Sequence, residues 1–170
     1  MTSRLCLPLC MTTLVMRPVQ YLQQCLASRC SRTGYPPAVA SRLTEVIIDC
    51  ADLDRMFAFW SEALGYERSN EGDGWVALRA PGSDISEAAL RSAPQPPAVA
   101  LVVVPEAKQG KNRVHVDITP VDRTQAEEVA RLETLGAMRI DISQGAVPWV
   151  VMGDPEGNEF CVMPEIEPAQ

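Results

Sequence analysis

Apolar and polar residues alternate through "LTEVIIDC", residues 43–50, a period that predicts a strand. The period lengthens in "ADLDRMFAFWSEALGYE", where Met56, Phe57, Trp60 and Leu64 recur at helical spacing. Asp52 stands where a helix cap belongs and Gly65 where a helix ends. "GWVALRA" and "AVALVVVPE" return to strand patterns. The irregular insertion between them, residues 80–97, contains "DISEAALRS", which predicts a short helix with Asp84 as cap and Glu87 three residues on.

The pattern then repeats. "RVHVDITP" reads as a strand and "VDRTQAEEVARLETLGA" as a helix with Ala126, Val129, Leu132 and Leu135 as its apolar stripe and Gly136 as its stop. "AMRIDI", "PWVVM" and "NEFCVM" read as three more strands. Asp154-Pro155-Glu156-Gly157 suits a type I turn, which makes the last two a hairpin. "VIIDCADLDR" aligns with "VHVDITPVDR", "LGYE" with "LGAM", and "GWVAL" with "PWVVM". The chain therefore reads as α+β, two βαβββ modules at about 43–106 and 112–164 forming a curved mixed sheet, a cup with helices on its outer face.

Strand alternation assigns the faces. Val46 and Ile48, then Val114, Val116 and Ile118, then Phe160 and Val162 form an apolar face for the helices. Glu45, Ile47 and Asp49, then Arg113, His115 and Asp117, then Glu159 and Cys161 form the other, with Trp75 and Trp149 at matching places in the two copies. A sheet covered on one side only, with polar groups and tryptophans on the other, predicts a concave pocket for a small molecule.

Charge and cysteine usage add to this picture. Residues 1–40 hold Arg4, Arg17, Arg29 and Arg32 and no acid; the body keeps 11 basic against 22 acidic residues, a net of −11 within a whole-chain charge of −7. So acidic a body repels phosphate backbones, which argues against nucleic acid as a partner. No apolar run approaches the roughly 20 residues of a membrane span, which argues against the membrane. Cys6, Cys10, Cys25 and Cys30 lie in the tail and only Cys50 and Cys161 in the body, without a C-x-x-C pair. The body thus reads as a reduced cytoplasmic protein, with a Cys50–Cys161 disulfide left open. "RLCLPLCMTTLVM" faintly suggests a signal peptide, but Pro8 interrupts it and Ala38-Val39-Ala40 is too far downstream to be its cleavage site. Residues 1–40 read instead as a disordered or mis-started extension, 41–166 as the domain and 167–170 as a tail.

"DCADLDRMFAFWSEALGYE", "KNRVHVDI" and "DPEGNEFCVM" resemble the vicinal oxygen chelate superfamily of glyoxalase I, extradiol dioxygenases and bleomycin-resistance proteins, and most closely its uncharacterised bacterial glyoxalase-like branch. The resemblance implies four metal ligands in the metal-dependent members, usually His or Gln and Glu, one each from the first, fourth, fifth and eighth strands. It places them at Glu45 or, in another register, Ile47; near Val102, which cannot bind metal; at His115, the chain's single histidine; and at Cys161. Either no cofactor is bound and the metal site is lost, or a divalent ion such as zinc is held by Glu45, His115 and Cys161 with water. Without metal, Glu45 and His115 are the candidates for acid–base catalysis. Trp75 and Trp149 are the candidates for stacking on a flat ligand in a resistance-type binder, with Arg79 or Asp117 orienting it. "KQGKNR" offers Lys108, Lys111 and Arg113 to an anionic group, or is a solvated connector. The expectation is a glyoxalase-like lyase or isomerase or a binder of small molecules, with a metal-dependent lyase or dioxygenase as the alternative. A homodimer with exchanged modules is left open.

Overall fold

The computed structural model describes residues 41–166; the readings made above of residues 1–40 and 167–170 lie outside the described residues. The first module runs β1 (Glu45–Cys50), α1 (Leu53–Leu64), β2 (Glu67–Gly72), β3 (Trp75–Arg79), α2 (Glu87–Ser92) and β4 (Ala98–Val103). The second runs β5 (Val116–Ile118), α3 (Gln125–Thr134), β6 (Met138–Arg139), β7 (Val150–Gly153) and β8 (Glu159–Val162). Each module folds its strands into a four-stranded mixed sheet, ordered β1-β4-β3-β2 and β5-β8-β7-β6. The outer pair is parallel in each, β1 with β4 and β5 with β8, and the rest antiparallel. The two sheets are not hydrogen-bonded into one continuous sheet, and β1 and β5 are edge strands.

Helix α1 forms where its caps and spacing place it. Asp52 Oδ1 accepts from Arg55 N at 3.1 Å, and Gly65 ends the helix at φ 63°, a left-handed conformation that costs glycine no Cβ clash. Met56, Phe59 and Trp60 are its buried residues; Phe57 is partly buried against the same core and lies beneath the Arg68 guanidinium, 4.2 Å from its ring centroid. Thr124 and Glu127 close a capping box at the start of α3. On α3, Val129 and Leu132 are buried as expected, Ala126 is exposed, and Glu128 takes the remaining buried place.

One core serves both modules. Phe59, Trp60 and Phe160 meet with ring centroids 5.3–5.9 Å apart, so the first module's helix packs against the second module's last strand. Val76, Leu78 and Leu101 join them from one sheet, Val129 and Leu132 from α3, and Met152 and Val162 from the other sheet.

Four local expectations need correction. Strand β2 was not anticipated: every residue in it is exposed, and it is held by pairing with β3 rather than by an apolar face. Val114 was assigned to the core and is 79% exposed, because pairing with β8 begins only at Val116. "AMRIDI" keeps only two residues as strand. The cap of α2 is Ser86, whose hydroxyl accepts from Ala89 N, while Asp84, two residues earlier, accepts from Ser86 N.

Candidate functional site

Register fixes which side chains share the face turned away from the core. In the first sheet, Glu45 lies in a row with Ala98, Arg79 and Glu67, and Asp49 in a row with Val102, Trp75 and Gly72. Ile47 lies between them and is 63% exposed. In the second sheet, Asp117 is the partner of Cys161, and Cys161 of Val151. Alternation puts Glu159 two residues to one side of that row; His115 and Trp149 lie just outside β5 and β7, one residue before each strand begins. Phe160, Val162 and Met152 point the opposite way into the shared core; Cys161 and Val151 are buried but stand outside it.

The polar groups near this second face include one close pair and a bridge. Cys161 is the register partner of Asp117 on the neighbouring strand. Burial first, then Asp117, push the thiol above its ordinary value, and the nearby Lys111 ammonium pulls it back. Lys111 Nζ lies 2.5 Å from His115 Nε2, and the same nitrogen lies 3.0 Å from the carbonyl oxygen of Asn112. Glu159 receives Lys108 Nζ at 3.1 Å and Asn112 N at 3.0 Å. Burial raises the Glu159 carboxyl, but the Asn112 amide and Lys108 outweigh it and leave the group below its usual value. The loop "KQGKNR" is thus folded back over the strand ends rather than running free.

The sequence-derived candidates separate into two sets. Asp117 and Cys161 share the face of the second sheet, with His115 and Trp149 in the segments leading into β5 and β7; Glu45, Trp75 and Arg79 lie on the first sheet. The ring nitrogen of His115 is engaged by Lys111 and Asn112. The tryptophans differ in setting. Trp75 lies over Gly72, where a Cβ would meet its Nε1 at 2.2 Å, so the glycine clears space for the ring. Its row corresponds to the one ending at Val151, not at Trp149, so the two tryptophans are offset by two residues rather than matched. Trp149 donates its indole N–H to Gln144 Oε1 at 3.1 Å and lines a groove of about 350 Å³ with Ile140, Ile142 and Val147.

The donor set does not fit the four-ligand cage implied by the resemblance. Val102 occupies the fourth-strand place, and Lys111 and the Asn112 carbonyl already face the His115 Nε2. Among the described residues, no three His, Cys, Asp or Glu side chains gather closely enough to hold a metal ion. Cys50 and Cys161 are free, buried thiols on opposite faces of their sheets.

Sequence reasoning assigned the "DPEGN" turn to a hairpin and missed its second role. Asp154, fully buried, accepts from Glu156 N, Asn158 N and Asn158 Nδ2, and from Trp60 Nε1 of the first module. Glu156 accepts from Ala51 N at 2.8 Å and Asp52 N at 2.7 Å, amides at the start of α1. At the other end of α1, Arg131 donates to the carbonyls of Glu62 and Ala63 while Glu128 holds its guanidinium at 2.6 and 2.8 Å. The second module therefore grips the first module's helix at both ends and in the middle. That ties the two sheets to one core and fixes the candidate face.

The fold and family agree with this geometry. The glyoxalase-like domain family matches residues 45–163. No curated protein matches the chain. Among solved structures, a glyoxalase/bleomycin resistance protein/dioxygenase family enzyme from Burkholderia phytofirmans PsJN is similar at 16% identity, covering 72% of this chain and 97% of its own, with a TM-score of 0.51. The fosfomycin resistance protein FosX from Mesorhizobium loti is similar at 13% identity over 74% and 92%, TM-score 0.54. A FosX variant from Listeria monocytogenes, complexed with Mn(II) and 1S,2S-dihydroxypropylphosphonic acid, gives 13% over 75% and 92%, TM-score 0.53. At such identities the likeness concerns the fold.

Proposed function

The chain belongs to the glyoxalase-like domain family, and from that membership we propose that it binds a small organic molecule on the open face of its second sheet. The observation that carries this reading is the Asp117–Cys161 pair with Lys111–His115 beside it. Asp117 and Cys161 are register partners on a sheet whose other face is buried in the core, and Lys111 and His115 meet in the segment that leads into its first strand. Trp149, just before β7, is the aromatic residue of the same sheet's rim. Glu45, Asp49 and Arg79, on β1 and β3 with β4 between them, are polar groups available on the first sheet.

A lyase or isomerase reaction on that ligand would need a base. His115 is the candidate on this face and Glu45 the candidate on the other sheet. The metal-dependent alternative finds support in the Mn(II) complex of the FosX relative but not in the donors of this chain. The two free thiols agree with a reducing, cytoplasmic setting. Among the described residues no helix is long and apolar enough to cross a membrane.

A thermal-shift screen of small organic molecules tests the proposal, because a ligand selective for the native state raises the melting temperature. Hits whose shift disappears in Asp117→Ala and in Cys161→Leu support it. Hits unaffected by both variants, where each is folded, refute the location.

A further inference from the structure

We infer that Lys111 and His115 form an anion-binding pair, which receives the negatively charged group of the small molecule that the second sheet holds. The inference rests on the reading above and adds the ligand's chemical class, an organic anion.

The local hydrogen bonding points that way. The Nε2 atom of His115 faces two neighbours at once, an ammonium at 2.5 Å and a carbonyl oxygen at 3.0 Å. A ring nitrogen either donates or accepts. If Nε2 carries the proton, it donates to Asn112 O and the Lys111 ammonium is pressed against an N–H. If Nε2 is bare, it accepts from Lys111 and its lone pair is pressed against Asn112 O. Neither state satisfies both contacts. An acceptor with negative charge placed beside Lys111 resolves the conflict: the ammonium turns to the anion, and Nε2–H donates to Asn112 O.

The neighbouring charges are arranged to leave this position cationic. Glu159, the carboxylate nearest in register, is neutralised by Lys108. Asp117 makes no salt bridge to Lys111 or His115. Among the described residues Lys111 has no salt bridge to a carboxylate, although the chain as a whole carries −7. Both side chains are exposed, so an anion reaches them without opening the fold. The other arginine-rich cluster behaves differently: Arg123 and Arg131 are both taken up by Glu128, and Arg131 also by helix carbonyls.

The single histidine makes the test specific, since the imidazole C–H resonances of the full chain report on this site alone. Sodium chloride is exchanged for sodium phosphate or sodium acetate at constant pH and ionic strength, and the resonances are followed by NMR. The pair predicts a saturable displacement with at least one of the two anions, and the more effective one separates phosphate from carboxylate recognition. Lys111→Gln should weaken the apparent affinity by about tenfold or more, the scale of one charge-assisted hydrogen bond. Arg139→Gln, which removes a charge on the far strand β6, should leave it unchanged. Resonances that do not move, or that move equally in Lys111→Gln, overturn the inference. If neutral ligands from the thermal-shift screen still displace the His115 resonances, the binding face survives and only its anion specificity falls. If anions bind at His115 but every screened ligand maps elsewhere, the pair survives and the binding face falls.

Discussion

The indole N–H of Trp60, on the helix of the first module, lies 3.3 Å from Oδ2 of Asp154, in the hairpin turn of the second, and both side chains are buried. A buried carboxylate with four donors around it, one of them from the other module, makes the turn a joint. Trp60→Phe keeps an aromatic ring but removes the donor. It should destabilise the protein by about 1–3 kcal/mol, the cost of an unmet buried partner, measured by urea unfolding. Trp149→Phe removes an indole bond made at an exposed site and should cost under about 0.5 kcal/mol.

Glu156 should behave as a remote cap. Its carboxylate satisfies two amides that the start of α1 leaves without intrahelical partners. Glu156→Ala should lower stability by about 1–2 kcal/mol and speed hydrogen exchange at Ala51 and Asp52 more than at the centre of α1. Exchange that is unchanged at those two amides would remove the cap from the account.

The two body thiols should be slow to alkylate at neutral pH. Burial, then the charges of Glu156, Asp49, Asp52 and Asp154, push Cys50 from 9.0 up to about 11. A folded value above the unfolded one means that its contribution to stability is full below about pH 9 and lost as pH rises toward about 11. Cys161 is raised in the same direction, by burial first and then by Asp117. Asp117→Asn removes that charge, so iodoacetamide should label Cys161 faster in the variant than in the parent, read by mass spectrometry.

Metal should not be a stoichiometric part of the folded chain. Chelator treatment is expected to leave the melting temperature unchanged, and elemental analysis to find the same metal content in the parent and in His115→Ala. One ion per chain that disappears in His115→Ala would show that the ligands gather in solution, and would restore the metal-dependent reading.

The repeat, the strand faces and the caps of α1 were legible because each rests on local rules: period, capping residue, left-handed glycine. Cys161 and Asp117 could be placed on one face from alternation alone. The exposed strand β2 was hidden, since "ERSNEG" has no apolar period and owes its extension to a partner strand. The tryptophan offset was hidden for a related reason: register is a pairing property, and the insertion before β4 removes the tight turn that would have set it. The joint made by Asp154 and Glu156 was equally invisible, because its partners lie 94 to 105 residues away along the chain. In the candidate site, the composition of "KQGKNR" gave its charge but not which lysine is already paired.

The most direct measurement is chemical-shift mapping, on the isotope-labelled full chain, of a ligand taken from the thermal-shift screen. Perturbations concentrated at residues 111–117, 149–151 and 159–161 are the predicted result. Perturbations confined to Glu45, Trp75 and Arg79 would contradict it.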